Sequence, residues 1–191
     1  DVQRFDKLPA IAPDGYYVAV KSDPKDGGDP FYVRYNSSER IWVECPKSGL
    51  KNTINPLTMP HALVRQQDGT LLFKKLTWDK RLAGDEDTNP NPSFIDQAIT
   101  DIFFFKNRLG FTAGENVILS EVGNYFNYWF KSATDIIDSD AIDVPCSTSR
   151  INFLNFGVVH NNELIVFSDK EQFILRADGV LSPKTSSLTP A

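Results

Sequence analysis

Phe105-Lys-Asn-Arg-Leu-Gly-Phe111 lies over His160-Asn-Asn-Glu-Leu-Ile-Val166 when the chain is slid against itself, and Asn116-Val-Ile-Leu-Ser120 then lies over Gln172-Phe-Ile-Leu-Arg176. Both runs read strand, turn, strand, turn, strand, at an offset of about 55 residues. Apolar residues alternate with polar ones in each, which is the period of a half-buried strand. The first run places strands at 102–106, 108–112, 116–121 and 125–129. The second places them at 152–160, 164–168, 172–176 and 181–187. Short meanders repeated every ~40–50 residues are the pattern of propeller blades. Two blades cannot close a ring, so the rest of such a ring is expected outside this chain.

Working towards the N-terminus, residues 16–21, 31–35 and 41–44 alternate in the same way and predict a small meander. Asp23-Pro-Lys-Asp-Gly-Gly-Asp-Pro30 between the first two is a loop signal, and Asn36-Ser-Ser-Glu39 a hairpin turn. Asp68-Gly69, flanked by Ala-Leu-Val-Arg-Gln and Thr-Leu-Leu-Phe-Lys, predicts a hairpin closed by a type I′ turn. Gly84-Asp-Glu-Asp-Thr-Asn-Pro-Asn-Pro92 packs two prolines, two asparagines and three acids into nine residues. Such a segment cannot pair inside a sheet. It reads as a linker, with a boundary near residue 90. The chain is therefore expected to be all-β. Residues 1–90 form a small antiparallel β unit ending in that Pro/Asn/Asp-rich linker. Residues 91–191 form β-meanders resembling blades of an incomplete β-propeller. Helix is expected only in short pieces, at 93–100 and 132–137.

Composition agrees with this class. The 191 residues include 14 Phe, 6 Tyr and 3 Trp, flat side chains that suit pleated, half-buried surfaces. The net charge of −5 disfavours a protein that grips nucleic acid, though not one that DNA slides past. No apolar run approaches the ~20 residues of a membrane span. The chain starts at Asp1 without a signal-like stretch, and is expected to be an internal piece of a longer protein. Cys45 and Cys146, far apart in sequence, are expected to be reduced thiols.

Motifs that would carry chemistry are weak. Asp85, Asp87 and Asn89 have the spacing of a calcium loop, but Pro90 stands at the sixth position and Asp96 at the twelfth, where Gly and Glu belong. That cluster reads as a solvated loop. His61 and His160 have no accompanying nucleophile pattern. Gly110-Phe-Thr-Ala-Gly114 lacks the Lys-Ser/Thr of a phosphate loop. Cys146 reads as a small buried side chain. No cofactor and no catalytic residue is assigned. The densest aromatic patch is Tyr125-Phe-Asn-Tyr-Trp-Phe130. As a strand it would be apolar on both faces, either doubly buried or half in a contact between subunits. Tyr125, Tyr128, Trp129 and Phe130 are the residues expected at such a subunit contact.

An ordered series of motifs runs through the chain: Met59-Pro-His-Ala-Leu-Val-Arg65, Trp78-x-x-Arg81-x-x-Gly84-Asp85, Thr88-Asn-Pro-x-Pro-Ser-Phe94 and Phe104-Phe-x-Asn-Arg-Leu-Gly-Phe111. Gly114-Glu-Asn-Val-Ile-Leu-Ser120, Tyr125-Phe-Asn127, Ile142-Asp143 and Gln172-Phe173 continue it. The series, spanning about residues 8–183, resembles the tail tubular protein B (tail nozzle) family of short-tailed bacteriophages, the podoviruses. The resemblance implies a structural virion protein of the phage tail, assembled in the host cytoplasm. It implies a hexamer beneath the adaptor ring of tail tubular protein A, which extends the DNA channel, retains the genome until infection and helps dock the tail fibre. It also implies a propeller-like β domain in the middle of the protein, genomic DNA passing without specific binding, and no membrane insertion by this segment. It brings no catalytic residue with it.

Two other readings stay open on the residues alone. A virion-associated glycan hydrolase would draw its carboxylate pair from Asp135, Asp138, Asp140 and Asp143. A carbohydrate-binding module would stack sugars on aromatics such as Trp129.

Overall fold

The computed structural model describes residue 2, residues 4–21 and residues 29–191. The loop signal at 23–30 lies mostly outside the described residues. Thirteen strands are present among the described residues. The one helix among the described residues is a single 3-10 turn, Phe5–Lys7, so the short helices expected at 93–100 and 132–137 are turns and bends instead.

β1 (Tyr17–Val20), β2 (Phe31–Asn36) and β3 (Ile41–Glu44) form the expected antiparallel meander in the order β1-β2-β3. Val18, Val20 and Val33 make its small core, covered by Leu8, Phe31 and Trp42. β4 (Ala62–Arg65) and β5 (Leu71–Lys74) form the hairpin about Asp68-Gly69. Its turn is not type I′. Of the pair only Gly69 has a positive φ, +85°. The Gln66 and Gly69 amides donate to Thr70 and Gln66 carbonyls, and the Asp68 carboxylate caps the Thr70 amide at 2.9 Å. A three-residue loop with a left-handed glycine satisfies those groups with one strained φ rather than two.

Type I′ geometry occurs where the internal repeat placed a turn. Lys106 and Asn107 have φ +48° and +59°, and Asn161 and Asn162 have +47° and +69°. The first pair joins β6 (Ile99–Phe105) to β7 (Arg108–Ala113), the second joins β10 (Leu154–His160) to β11 (Glu163–Ser168). With β8 (Asn116–Leu119), β9 (Ile142–Pro145), β12 (Gln172–Ala177) and β13 (Ser186–Pro190), they build two four-stranded antiparallel meanders, β6-β7-β8-β9 and β10-β11-β12-β13.

The fourth strand of each sheet departs from expectation. In the first it is Ile142–Pro145, and 125–129 is not a strand. In the second it begins at Ser186 rather than near 181, because Ser182 and Thr185 form a turn whose carbonyl and hydroxyl bonds tie up that segment.

The two sheets stack face to face. β10 lies along β6, and β13 meets the end of β9 through a parallel bridge from Cys146 to Leu188. Val117, Leu119, Ile142 and Val144 of the first sheet interlock with Leu154, Leu164, Val166, Phe173, Leu175 and Leu188 of the second. Gly110 faces Phe103 across β6 and β7, and a Cβ there would collide with the Phe103 ring. The glycine thus lets that ring lie flat on the sheet and reach Gly157 of the second. The other face of the first sheet, Phe111, Ala113 and Ile118, is covered by Ile54, Met59, Trp78, Phe94, Tyr128 and Trp129. Residues on both sides of position 90 share this core. The sheets are open; no barrel or ring closes among the described residues.

Candidate functional site

The aromatic segment 125–130 is a looped plug. Asn127 makes it so: its side chain accepts from the Trp129 amide at 3.1 Å and donates to the Trp129 carbonyl at 3.1 Å, taking the backbone groups a ladder would need. Asn89 does the same at Phe130, accepting from its amide and donating to its carbonyl, both at 2.9 Å. The rings are then fixed singly. Tyr128 stacks on Phe111 with centroids 5.3 Å apart and meets Phe94 edge-on at 5.1 Å. Its hydroxyl donates to the Leu109 carbonyl, and burial pushes its phenol far above the ordinary range. Phe126 packs edge-on against Trp78, and the Arg81 guanidinium sits 5.9 Å from the Trp129 ring. Tyr125 donates to the Asn107 side chain at 2.8 Å and packs against Phe104.

Of the four residues expected at a subunit contact, Tyr128 and Trp129 are therefore interior to this chain, while Tyr125 and Phe130 keep part of their rings at the surface. The two apolar strand faces expected of 125–130 do not form, because the segment is not a strand.

The segment 84–92 is packed rather than solvated. Asp85 and Asn89 are both buried. The Asp85 carboxylate accepts from the Tyr32 hydroxyl at 3.1 Å, from the Asp87 and Thr88 amides and from the Thr88 hydroxyl. Burial raises its pKa, but the hydrogen bonds from Thr88, Tyr32 and Asp87 outweigh burial and hold it below the ordinary value. Burial, helped by the Asp85 hydrogen bond, pushes Tyr32 up to about 12. Its donors come from its own turn and from β2, so the carboxylate works as a turn cap and a clamp to β2. Glu44 of β3 makes a second clamp, accepting from Ser132, the Ala133 amide and Thr134. Among the described residues no three His, Cys, Asp or Glu side chains converge as a metal site would require.

The acidic run 135–143 is dispersed. Asp140 is buried and caps the Ile137 amide. Asp143 accepts from Asn116 and the Ser93 amide. Asp138 is exposed, and its carbonyl accepts from Arg108. The buried Arg108 fork also donates to the Ser120 and Asp140 carbonyls, so it is a bracket for these loops. Burial lowers its pKa, against the pull of Asp140 and Glu121. Cys45 and Cys146 are both free and buried, and burial pushes both thiols up. His61 stacks on Phe73, and His160 ends β10 at the surface.

What the chain presents outward is apolar β surface. Phe156 and Val158 on the outer face of the second sheet are exposed, as are Leu63, Leu71, Leu72 and Phe73 on the β4–β5 ribbon. Residue alternation identified the hairpin but not its isolation. The signal was there: Leu71-Leu72-Phe73 is apolar at consecutive positions, and two strands alone cannot cover both faces of a ribbon.

A model of the bacteriophage nozzle protein family matches residues 1–191. The tail tubular protein gp12 of Escherichia phage T7 is 45% identical over 186 residues, which cover 97% of this chain and 23% of that protein. The chain thus spans about a quarter of the length of this curated relative.

Proposed function

The chain belongs to the bacteriophage nozzle protein family, structural components of the phage tail, and from that premise we propose that it forms part of the wall of a tail channel through which DNA leaves the virion. The family match along the whole chain is the observation that carries this reading. The parent protein assembles as a homo-oligomeric ring, a hexamer, between the adaptor ring of tail tubular protein A and the tail fibre. The two stacked meanders are adjacent blades of a β-propeller. Their first strands lie together and their last strands lie together, as in neighbouring blades, and the exposed Phe156 and Val158 face is where a further blade packs. Tyr125 and Phe130 touch a neighbouring subunit at their exposed edges, while Tyr128 and Trp129 of the same segment anchor it in the core.

The net charge of −5 suits a wall that DNA passes without sticking, since like charge within a Debye length keeps phosphates off the surface. No helix among the described residues is long and apolar enough to cross a membrane. A glycan hydrolase gains no support from the acidic run, in which Asp140 caps the Ile137 amide and Asp143 the Ser93 amide on separate loops. The mass of the full-length protein in solution tests the proposal. Six copies in a ring with a central channel, seen by native mass spectrometry and electron microscopy, are expected. A full-length monomer that fails to join an adaptor ring would overturn it.

A further inference from the structure

We propose that the β4–β5 ribbon is an arm that docks on the acidic surface of a second copy of this chain. None of its eight strand residues is buried. Cross-strand pairing sets Leu63 against Phe73 and Arg65 against Leu71 on one face, and Val64 against Leu72 on the other. Leu63, Leu71 and Phe73 are 62%, 60% and 68% exposed. A lone two-stranded ribbon is only marginally stable in water, and apolar residues on both faces call for a covering surface. The tip, Gln66-Gln67-Asp68-Gly69-Thr70, is polar. The apolar residues line the sides of the arm, which suits lying along a protein and does not suit tip-first entry into a bilayer.

Charge selects the occupant. Residues 61–75 hold Arg65, Lys74 and Lys75 against the single acid Asp68, a net +2; with the whole chain at −5, the rest carries −7. Copies of an acidic chain repel one another unless a basic element crosses the seam. The ribbon is such an element, and the acidic remainder of the next copy is its complement. One kind of surface meeting a different one on the next copy is the heterologous contact from which rings close. This inference rests on the ring reading above.

The test uses the full-length protein, wild type and two double variants: Leu63→Asp with Phe73→Asp, and Arg65→Glu with Lys74→Glu. Native mass spectrometry and sedimentation read the assembly, and circular dichroism with thermal unfolding reads the fold. Both variants are expected to keep the wild-type spectrum and to shift to monomer, with dissociation at least tenfold easier. Variants that assemble as tightly as wild type would overturn the arm, and so would assembled variants that merely unfold at lower temperature, which would place the ribbon against its own polypeptide. Loss of binding to anionic vesicles with assembly intact would overturn it as well. A monomeric wild type would instead sink the ring reading itself.

Discussion

Asp85 shows how one carboxylate can serve as a fastening. Its partners Tyr32, Asp87 and Thr88 come from β2 and from its own turn, and it is buried. Removing it strands donors that water reaches poorly, so Asp85→Ala is expected to cost about 2 kcal/mol of stability, read from urea unfolding. The pH dependence follows from the direction of its shift. A carboxyl held below its ordinary value contributes stability above the unfolded pKa of about 4, and that contribution is lost as pH falls through the folded value. The urea midpoint should therefore drop below about pH 4. Asp85→Asn should drop less steeply but still drop, because Glu121 titrates in the same direction: burial raises it, and the Lys131 and Asn127 hydrogen bonds more than offset that. A variant whose acid profile matched wild type would show that the Asp85 clamp does not carry the effect. None of this was readable from Asp85-Glu-Asp87 as a string. The acids looked like a solvated loop because the partner that buries the first of them, Tyr32, stands 53 positions away.

At the scale of elements, the strands that alternate over one buried face were legible, and the repeat placed both I′ turns. The misreadings share a cause. The segment 125–130 is apolar enough to read as a strand, yet Asn127 and Asn89 take its backbone groups and hold it as a loop; the Thr185 and Ser186 hydroxyls, donating to the Val180 and Ser182 carbonyls, likewise delay β13. Side-chain bonds to backbone compete with the ladder, and apolar periodicity does not register them. The turns themselves make a contrasting pair of predictions. Asn162 sits at φ +69° in a turn where Asn-Gly is the favoured pair, so Asn162→Gly should raise stability by a few tenths of a kcal/mol. Gly69 sits at φ +85°, where any Cβ is strained, so Gly69→Ala should cost about 1 kcal/mol even though nothing crowds the site. Equal and small effects at both positions, by chemical denaturation, would mean that backbone conformation does not set the stability of these hairpins.

The whole molecule is organised by its two large cores, and the second of them crosses residue 90. Trp78, Met59 and Ile54 reach it from one side; Phe94, Phe111, Tyr128 and Trp129 from the other. Losing one buried tryptophan typically costs about 3–5 kcal/mol, and a domain has only about 5–15 kcal/mol to lose. Residues 91–191 alone would leave the Phe111 face of the first sheet and the rings of the plug without their cover. They are expected to lack a cooperative thermal transition and to bind a hydrophobic dye. Trp129 is the one tryptophan in that stretch and is 1% exposed in the intact chain, which makes its emission a direct probe. It should shift to the red in 91–191 and stay blue in 1–191. The composition break at 84–92 would then mark a packed turn within a shared core. A sharp transition and blue emission from 91–191 would show instead that the two meanders fold on the core they share with each other, and that residue 90 is a true domain limit.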